Sequence, residues 1–236
     1  MGLTSITPTL PRLQLKQQSA FRLVNSKFPP IHIFDDVADQ ADFDALFAVQ
    51  ALTNPRLQQQ VGQLNRVPED QRPWGIPGCN YALGPFVHVN PAGSRFSNGD
   101  FGVYYCADHI HTAIAETRYH QERYFQNVKG LKYDRIVMGG LKTEFSAELL
   151  DISPAGKQPR YHHPDDYRPA QELGSHLKSH QETGLRYESV RAPGTLCYAL
   201  LNPKAITSVV PSCHYEYIWD GEKIAHILTI SRLSQP

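Results

Sequence analysis

Three residues in the middle of the chain combine side chains that bind anions with one that stabilises positive charge. Ten positions separate Arg95 from Tyr105, and eleven separate Tyr105 from Glu116. Glu116 follows the apolar residues 113–115, which indicates a place near the packed side of a helix rather than on its solvated face. A carboxylate in such a place needs a partner, and an arginine or a phenol is suitable. The spacing alone leaves two interpretations open, a structural ion pair and a functional site.

The eleven histidines offer a second kind of chemistry, because several of them are spaced as metal ligands can be. No H-E-x-x-H motif and no cysteine pair completes a ligand set, so we expect polar side chains and no bound metal. A metal-dependent hydrolase that uses His176 and His180 is kept as an alternative. The pairs are His109 and His111, His162 and His163, and His176 and His180.

Other catalytic classes lack their motifs. The chain has no G-x-S-x-G nucleophile elbow, no P-loop and no G-x-G-x-x-G fingerprint. Cys106 and Cys197 lie within apolar strand-like runs, which is typical of core residues. The charge balance, with 23 Lys+Arg against 23 Asp+Glu, argues against a nucleic-acid binder and against a polybasic membrane-surface protein.

Composition predicts a globular, cytoplasmic chain. Its 236 residues are 41% hydrophobic, enough for a substantial core and compatible with a single domain. The four cysteines are widely spaced, which favours a reducing compartment. We see no signal peptide over the first 16 residues and no run of 18 apolar residues.

Patterning predicts a mixed α/β (α+β) domain that positions these residues. We expect an N-terminal arm over residues 1–20 and a catalytic domain over 21–236, with a helical and loop excursion at 35–80. A strand at 103–107 leads into a helix capped by Asp108 or Thr112, which carries Glu116. A later helix at 169–181 is expected to end at Gly184. The chain should close on a β-hairpin within residues 213–232.

Five short motifs, in order, resemble the RES domain family. They are Arg22 in an aromatic-Arg strand, Arg95-Phe96-Ser97 with Gly99, Tyr105, the AIAE segment 113–116, and the YESVR segment 187–191 followed by Leu201-Asn202-Pro203. The sequence departs from the family pattern at Ser94, Phe96 and Glu188, where glycine, tryptophan and proline are usual. The resemblance covers about residues 21–203, and the departures change no charged or phenolic residue.

This resemblance implies a fold similar to that of ADP-ribosyltransferases and an activity that consumes NAD+. Such proteins are toxins of bacterial toxin–antitoxin systems, in which a helix-turn-helix antitoxin of the Xre type covers the active site. They cleave the bond between nicotinamide and ribose as NAD+ glycohydrolases or phosphorylases. A mono-ADP-ribosyltransferase that modifies a protein is the first alternative, and a non-catalytic binding module is a remoter one. The oligomeric state stays open, a homodimer included.

The resemblance also implies roles for five residues. Glu116 stabilises the positive charge that develops on the ribose, while Arg22 and Arg95 hold the pyrophosphate. Tyr105 stacks on the nicotinamide or closes the pocket over it. Ser189 holds the ribose or fixes Glu116. NAD+ is then a substrate, and no metal is required.

Overall fold

The computed structural model describes residues 10–27, 32–35, 37–54, 57–153 and 160–230, and within them one mixed sheet packs against helices. The α+β class expected from the sequence is confirmed. The strands are β1 (Arg12–Asn25), β2 (Tyr104–Ala107), β3 (Asp134–Asp151), β4 (Gly184–Glu188), β5 (Leu196–Leu200), β6 (Ile206–Trp219) and β7 (Ile224–Ile230). The helices are α1 (Gln40–Ala51), α2 (Leu57–Val61), α3 (Cys79–Val87), α4 (Ile110–Gln126) and α5 (Arg168–Ser179), with short 3₁₀ turns at His32–Phe34, Leu64–Arg66, Glu69–Gln71 and Pro203–Ala205.

The sheet closes on itself over part of its width. Its strand order is β1-β2-β5-β4-β3-β6-β7, and β1 pairs in addition with β3. Strands β1, β2, β5, β4 and β3 therefore form a ring, from which β6 and β7 extend. The contact between β3 and β4 is parallel, at Leu150 and Leu185, whereas the other described pairings are antiparallel.

The expected N-terminal arm is wrong for the residues from Arg12 onward. Residues 12–20 are the first part of β1 and pair antiparallel with β3. The half-buried Leu13 and Leu15 alternate with polar neighbours, which is the pattern of a strand with one packed face. Arg12 fixes the start of the strand because its guanidinium bonds both carboxylate oxygens of Glu182. Residues 1–9 lie outside the described residues.

Two apolar layers cover the sheet. One layer packs around Phe34, Phe43 and Phe145 and includes residues of α1 and α3. The other packs around Phe96 and Trp219 and includes residues of α4 and α5. The segment 35–80, expected as a helical and loop excursion, contributes to the first layer through α1 and α2.

Helix ends differ from the expected caps. His109, rather than Asp108 or Thr112, is the N-cap residue of α4. Asp108 instead accepts a hydrogen bond from the Thr112 hydroxyl and another from the backbone N–H of Leu196. The carboxylate thus ties the start of α4 to β5. After α5 the left-handed conformation is adopted by Gln181, with φ 57°, so that helix ends before Gly184.

The expected C-terminal hairpin is confirmed, since β6 and β7 pair antiparallel around a turn that starts at Asp220. The Asp220 carboxylate accepts hydrogen bonds from the backbone N–H groups of Glu222 and Lys223, which fixes the turn. The structure starts β6 at Ile206, well before the expected residue 213. Residues 231–236 lie outside the described residues.

A glycine allows α5 to approach the segment that carries Arg95. A Cβ atom added at Gly174 would lie 1.9 Å from the backbone oxygen of Phe96. The helix backbone and the residue next to Arg95 are therefore in direct contact, and no side chain fits between them. The position of α5 consequently determines the position of the Arg95 segment.

We expect Gly174→Ala to lower the free energy of unfolding by about 1–3 kcal/mol, because the methyl group must push α5 away from Phe96. Urea unfolding measures the change. Gly139→Ala is the matched control, since a Cβ atom added at Gly139 would lie 3.4 Å from its nearest neighbour, the flexible Ser26 hydroxyl. Equal stability of the Gly174→Ala protein and the parent would contradict the close approach.

Candidate active site

A cavity of about 600 Å³ opens between β1, β2, α4 and the segment around Arg95. Its volume lies within the range of about 300–1,000 Å³ that is usual for small-molecule sites. Arg22, Arg95, Tyr105 and Glu116 line it, although more than ninety positions separate the first from the last. The further lining residues are Phe21, Leu23, Asn90, Ala92, Gly93, Ser94, Cys106, Ala107, Ala113, Thr117, His120, Arg123, Tyr167, Tyr187 and Cys197.

A buried hydroxyl fixes the carboxylate of Glu116. The Ser189 hydroxyl donates a hydrogen bond of 2.6 Å to Oε1 of Glu116 and is itself only 2% exposed. Oγ of Ser189 also accepts hydrogen bonds from the backbone N–H groups of Arg191 and Ala192, at 3.2 and 3.0 Å. A serine hydroxyl has one proton and two lone pairs, so both amides direct its proton to the carboxylate. Ser189 does not line the cavity and acts from behind Glu116.

Arg95 lines the cavity while part of its guanidinium holds the segment 161–167. Nη1 donates to the backbone oxygen of His163 at 3.0 Å and to that of Tyr161 at 3.4 Å. The guanidinium carbon lies 4.5 Å from the centre of the Tyr167 ring, a cation–π contact. Because carbonyls and a ring are neutral partners, the positive charge of Arg95 is not cancelled in the cavity wall.

Tyr105 uses its hydroxyl to hold the residues on both sides of Arg95. The phenol oxygen accepts from the backbone N–H of Phe96 at 2.9 Å and shares a hydrogen bond of 2.9 Å with the Ser94 hydroxyl. Burial raises the pKa of Tyr105 to about 12, against the opposing effect of these hydrogen bonds. The phenol is therefore neutral in the physiological range. In this geometry it positions Arg95, and its hydroxyl is already engaged.

Arg22 enters the cavity wall from β1. Its Nη1 donates to the backbone oxygen of Tyr105 at 2.8 Å, and its guanidinium carbon lies 4.8 Å from the centre of the Tyr104 ring. As with Arg95, these partners carry no charge. Arg22, Arg95 and Arg123 together give the cavity more positive than negative side chains, with Glu116 as the carboxylate among the lining residues.

His120, Arg123 and Tyr167 are among the lining residues that the sequence did not predict. His120 and Arg123 follow Glu116 by four and seven positions on α4, which places them on the same helix face. That helical spacing is a signal that finds them. Tyr167 reaches the cavity from the segment before α5, and nothing in its local sequence indicates this.

The histidine pairs have other surroundings. The rings of His176 on α5 and of His180 directly after the helix are tilted by 38° with their centres 4.1 Å apart. Nδ1 of His163 accepts hydrogen bonds from the backbone N–H groups of Asp165 and Asp166. In the part of the chain that the structure describes, no three His, Cys, Asp or Glu side chains are arranged to hold a metal ion. None of the described helices is long and apolar enough to cross a membrane.

The sequence that forms this arginine-lined cavity and its fixed carboxylate matches the model of a known family. The family model described as RES domain matches residues 72–220, which is more than half of the chain. The chain belongs to the RES domain family, as the motifs around Arg95 and Glu116 predicted. The matched segment contains Arg95, Tyr105, Glu116 and Ser189, whereas Arg22 precedes it.

Individual proteins are also similar to this chain. A protein of Sinorhizobium fredii (strain NBRC 101917 / NGR234) described as uncharacterized protein y4oC is 27% identical over 207 residues, which cover 87% of this chain and 84% of that protein. The crystal structure of the M. tuberculosis MbcT–MbcA toxin–antitoxin complex matches with a TM-score of 0.38 and 12% identity, over 60% of this chain and 73% of that chain.

Removing the Tyr105 hydroxyl should loosen the Arg95 segment. We expect Tyr105→Phe to lower the free energy of unfolding by about 1–3 kcal/mol, because the Phe96 N–H loses its partner. Urea unfolding of the two proteins measures this. Tyr124→Phe serves as the control, since Tyr124 is 64% exposed and removal of its hydroxyl should leave the free energy of unfolding unchanged. An unchanged unfolding midpoint for Tyr105→Phe would show that the hydroxyl does not hold the segment.

Proposed function

We propose that this RES domain protein is the toxin of a toxin–antitoxin system and cleaves the bond between nicotinamide and ribose in NAD+. The observation that carries the proposal is the carboxylate of Glu116, fixed by Ser189 in the wall of an arginine-lined cavity. Family membership supports it, since the matched segment contains both residues.

The fixed carboxylate suits the charge changes of this reaction. As the C–N bond breaks, neutral nicotinamide leaves and positive charge develops on the ribose ring. Glu116 stabilises that charge, and the bond to Ser189 already orients it, so little reorganisation is needed during the reaction. The Ser189 hydroxyl bonds Oε1 of Glu116, and in this proposal Oε2 of the same carboxylate faces the ribose.

The arginines suit the other half of the substrate. NAD+ carries a pyrophosphate, and planar guanidinium groups bind such oxyanions with paired hydrogen bonds. Arg22 and Arg95 face the cavity with uncancelled charge and are the proposed pyrophosphate ligands. Tyr105 supports Arg95 through its flanking residues, and no step of this chemistry needs a metal.

The acceptor of the ADP-ribosyl group defines the class of enzyme. Transfer to water makes a glycohydrolase and transfer to phosphate a phosphorylase, which are the two forms of the proposal. Transfer to a cellular protein makes a mono-ADP-ribosyltransferase, the alternative outcome. An Xre-type helix-turn-helix antitoxin that covers the cavity is the proposed partner, and the cytoplasm, where NAD+ is present, is the proposed location.

Purified protein incubated with NAD+ should release nicotinamide, and Glu116→Gln should slow this release about 10²- to 10³-fold while the fold is retained. Glu172→Gln is the control, because Glu172 lies on α5 and forms an exposed ion pair with Arg160. Chromatography of the products in water and in phosphate buffer, with and without cell extract, identifies the acceptor. Nicotinamide release at the parental rate by Glu116→Gln would overturn the assignment of Glu116.

Expression of the chain should arrest bacterial growth and deplete cellular NAD+, since the reaction consumes a shared cofactor. Glu116→Gln expressed to the same level should permit growth, while Glu172→Gln should remain toxic. Growth curves together with NAD+ measurements test this. Growth arrest by the Glu116→Gln variant without NAD+ loss would contradict the link between toxicity and this site.

A further inference from the structure

One face of α4 places three polar side chains in the cavity wall. Glu116, His120 and Arg123 all line the cavity and are separated by one and two helical turns. Glu116 is half-buried against Ser189, whereas His120 is exposed. The face therefore runs from the fixed carboxylate to an imidazole in contact with water.

The imidazole of His120 has no structural task of the kind that Ser189 and Tyr105 have. Among the described residues no hydrogen bond holds it, and its ring contacts the edge of the neighbouring Tyr119 ring. By contrast, the Ser189 hydroxyl bonds three partners and the Tyr105 hydroxyl bonds two, and each holds a loop in place. An uncommitted imidazole one turn from a fixed carboxylate is placed to exchange a proton with a reacting molecule.

We propose that His120 is the general base that activates the acceptor at this site, a role that rests on the proposed function. When the C–N bond breaks, its electron pair leaves with nicotinamide. The oxygen of the acceptor, water in the simplest case, forms the new bond to the ribose carbon. The proton on that oxygen moves to His120 and then to solvent, so each turnover with water yields ADP-ribose, nicotinamide and one proton.

The surroundings of His120 favour the neutral form that a base requires. Although the residue is exposed overall, loss of hydration against the cavity wall lowers the pKa of the imidazole. Glu116 raises this pKa, while the positive charges of Arg191, Arg95 and Arg123 lower it. These groups come from α4, from the segment before β2 and from the turn after β4. The lowered pKa favours the neutral ring, and Glu116 stabilises the imidazolium after the ring has taken the proton.

The test compares the full-length parent with His120→Asn. We expect kcat for nicotinamide release in water to fall about 10²-fold, within the usual contribution of a general base, with KM little changed. The parental rate should rise with pH as the imidazole loses its proton, and the variant should lack this rise. Sodium azide should restore much of the lost rate, because the azide anion attacks without giving up a proton. His111→Asn is the matched control, an exposed histidine of α4 outside the cavity lining.

The outcomes separate this inference from the proposed function. A parent protein that releases no nicotinamide refutes the proposed function, whatever His120 does. An active parent with a His120→Asn variant of equal rate refutes the role of His120 alone. A slow variant that keeps the parental pH profile and is not rescued by azide also refutes it, because that result marks a structural contribution.

Discussion

The pairing of β3 with three other strands is the constraint on which the rest of the structure depends. β3 bonds β1 along one edge, and on the other edge it bonds β6 and then β4. Because β1 also bonds β2, this pairing closes the ring of five strands. Closure brings β1, which carries Arg22, to β2, which carries Tyr105, and so creates one wall of the cavity. Without β3 the two strands would share a single short contact at Phe21 and Ala107.

In this site, one set of polar groups holds other residues in place, and a different set faces the cavity. Hydrogen bonds from backbone N–H groups fix the hydroxyls of the buried Ser189 and of the half-buried Tyr105, and these hydroxyls fix Glu116 and the segment around Arg95. Such bonds are costly to break where protein atoms exclude water, because the N–H group that loses its acceptor is then left without a partner. Groups proposed to meet the substrate, such as Glu116 and Arg22, face the cavity with their charge uncancelled. Rigidity and reactivity are thus assigned to different side chains.

The sequence predicted the parts of this structure that short-range physics determines. The strand at 103–107, the helix that carries Glu116 and the final hairpin follow from apolar patterning and turn residues. The order of the motifs also predicted that Arg95, Tyr105 and Glu116 lie together, and the structure brings them to one cavity. Whether they act on NAD+ stays a prediction.

Long-range effects set the parts that the sequence did not predict. Residues 12–20 resemble an arm because their strand character depends on β3, which lies more than a hundred positions later. The cap of α4 was misassigned because Asp108 binds the distant Leu196 N–H instead. Tyr167 lies in the cavity wall beside Arg95, which contacts the segment 161–167, and no local pattern encodes these contacts.

That same segment is held on its two sides by interactions of different physical character. On the inside, Arg95 bonds its neutral carbonyl groups under cover of the protein. On the outside, Asp165 forms an ion pair with Arg123 at 3.2 Å, in which the Asp165 side chain is 61% exposed and the Arg123 side chain 55%. Dissolved salt screens the exposed pair and hardly affects the covered bonds. Ionic strength therefore acts on the outer rim of the cavity entrance and leaves the inner wall in place.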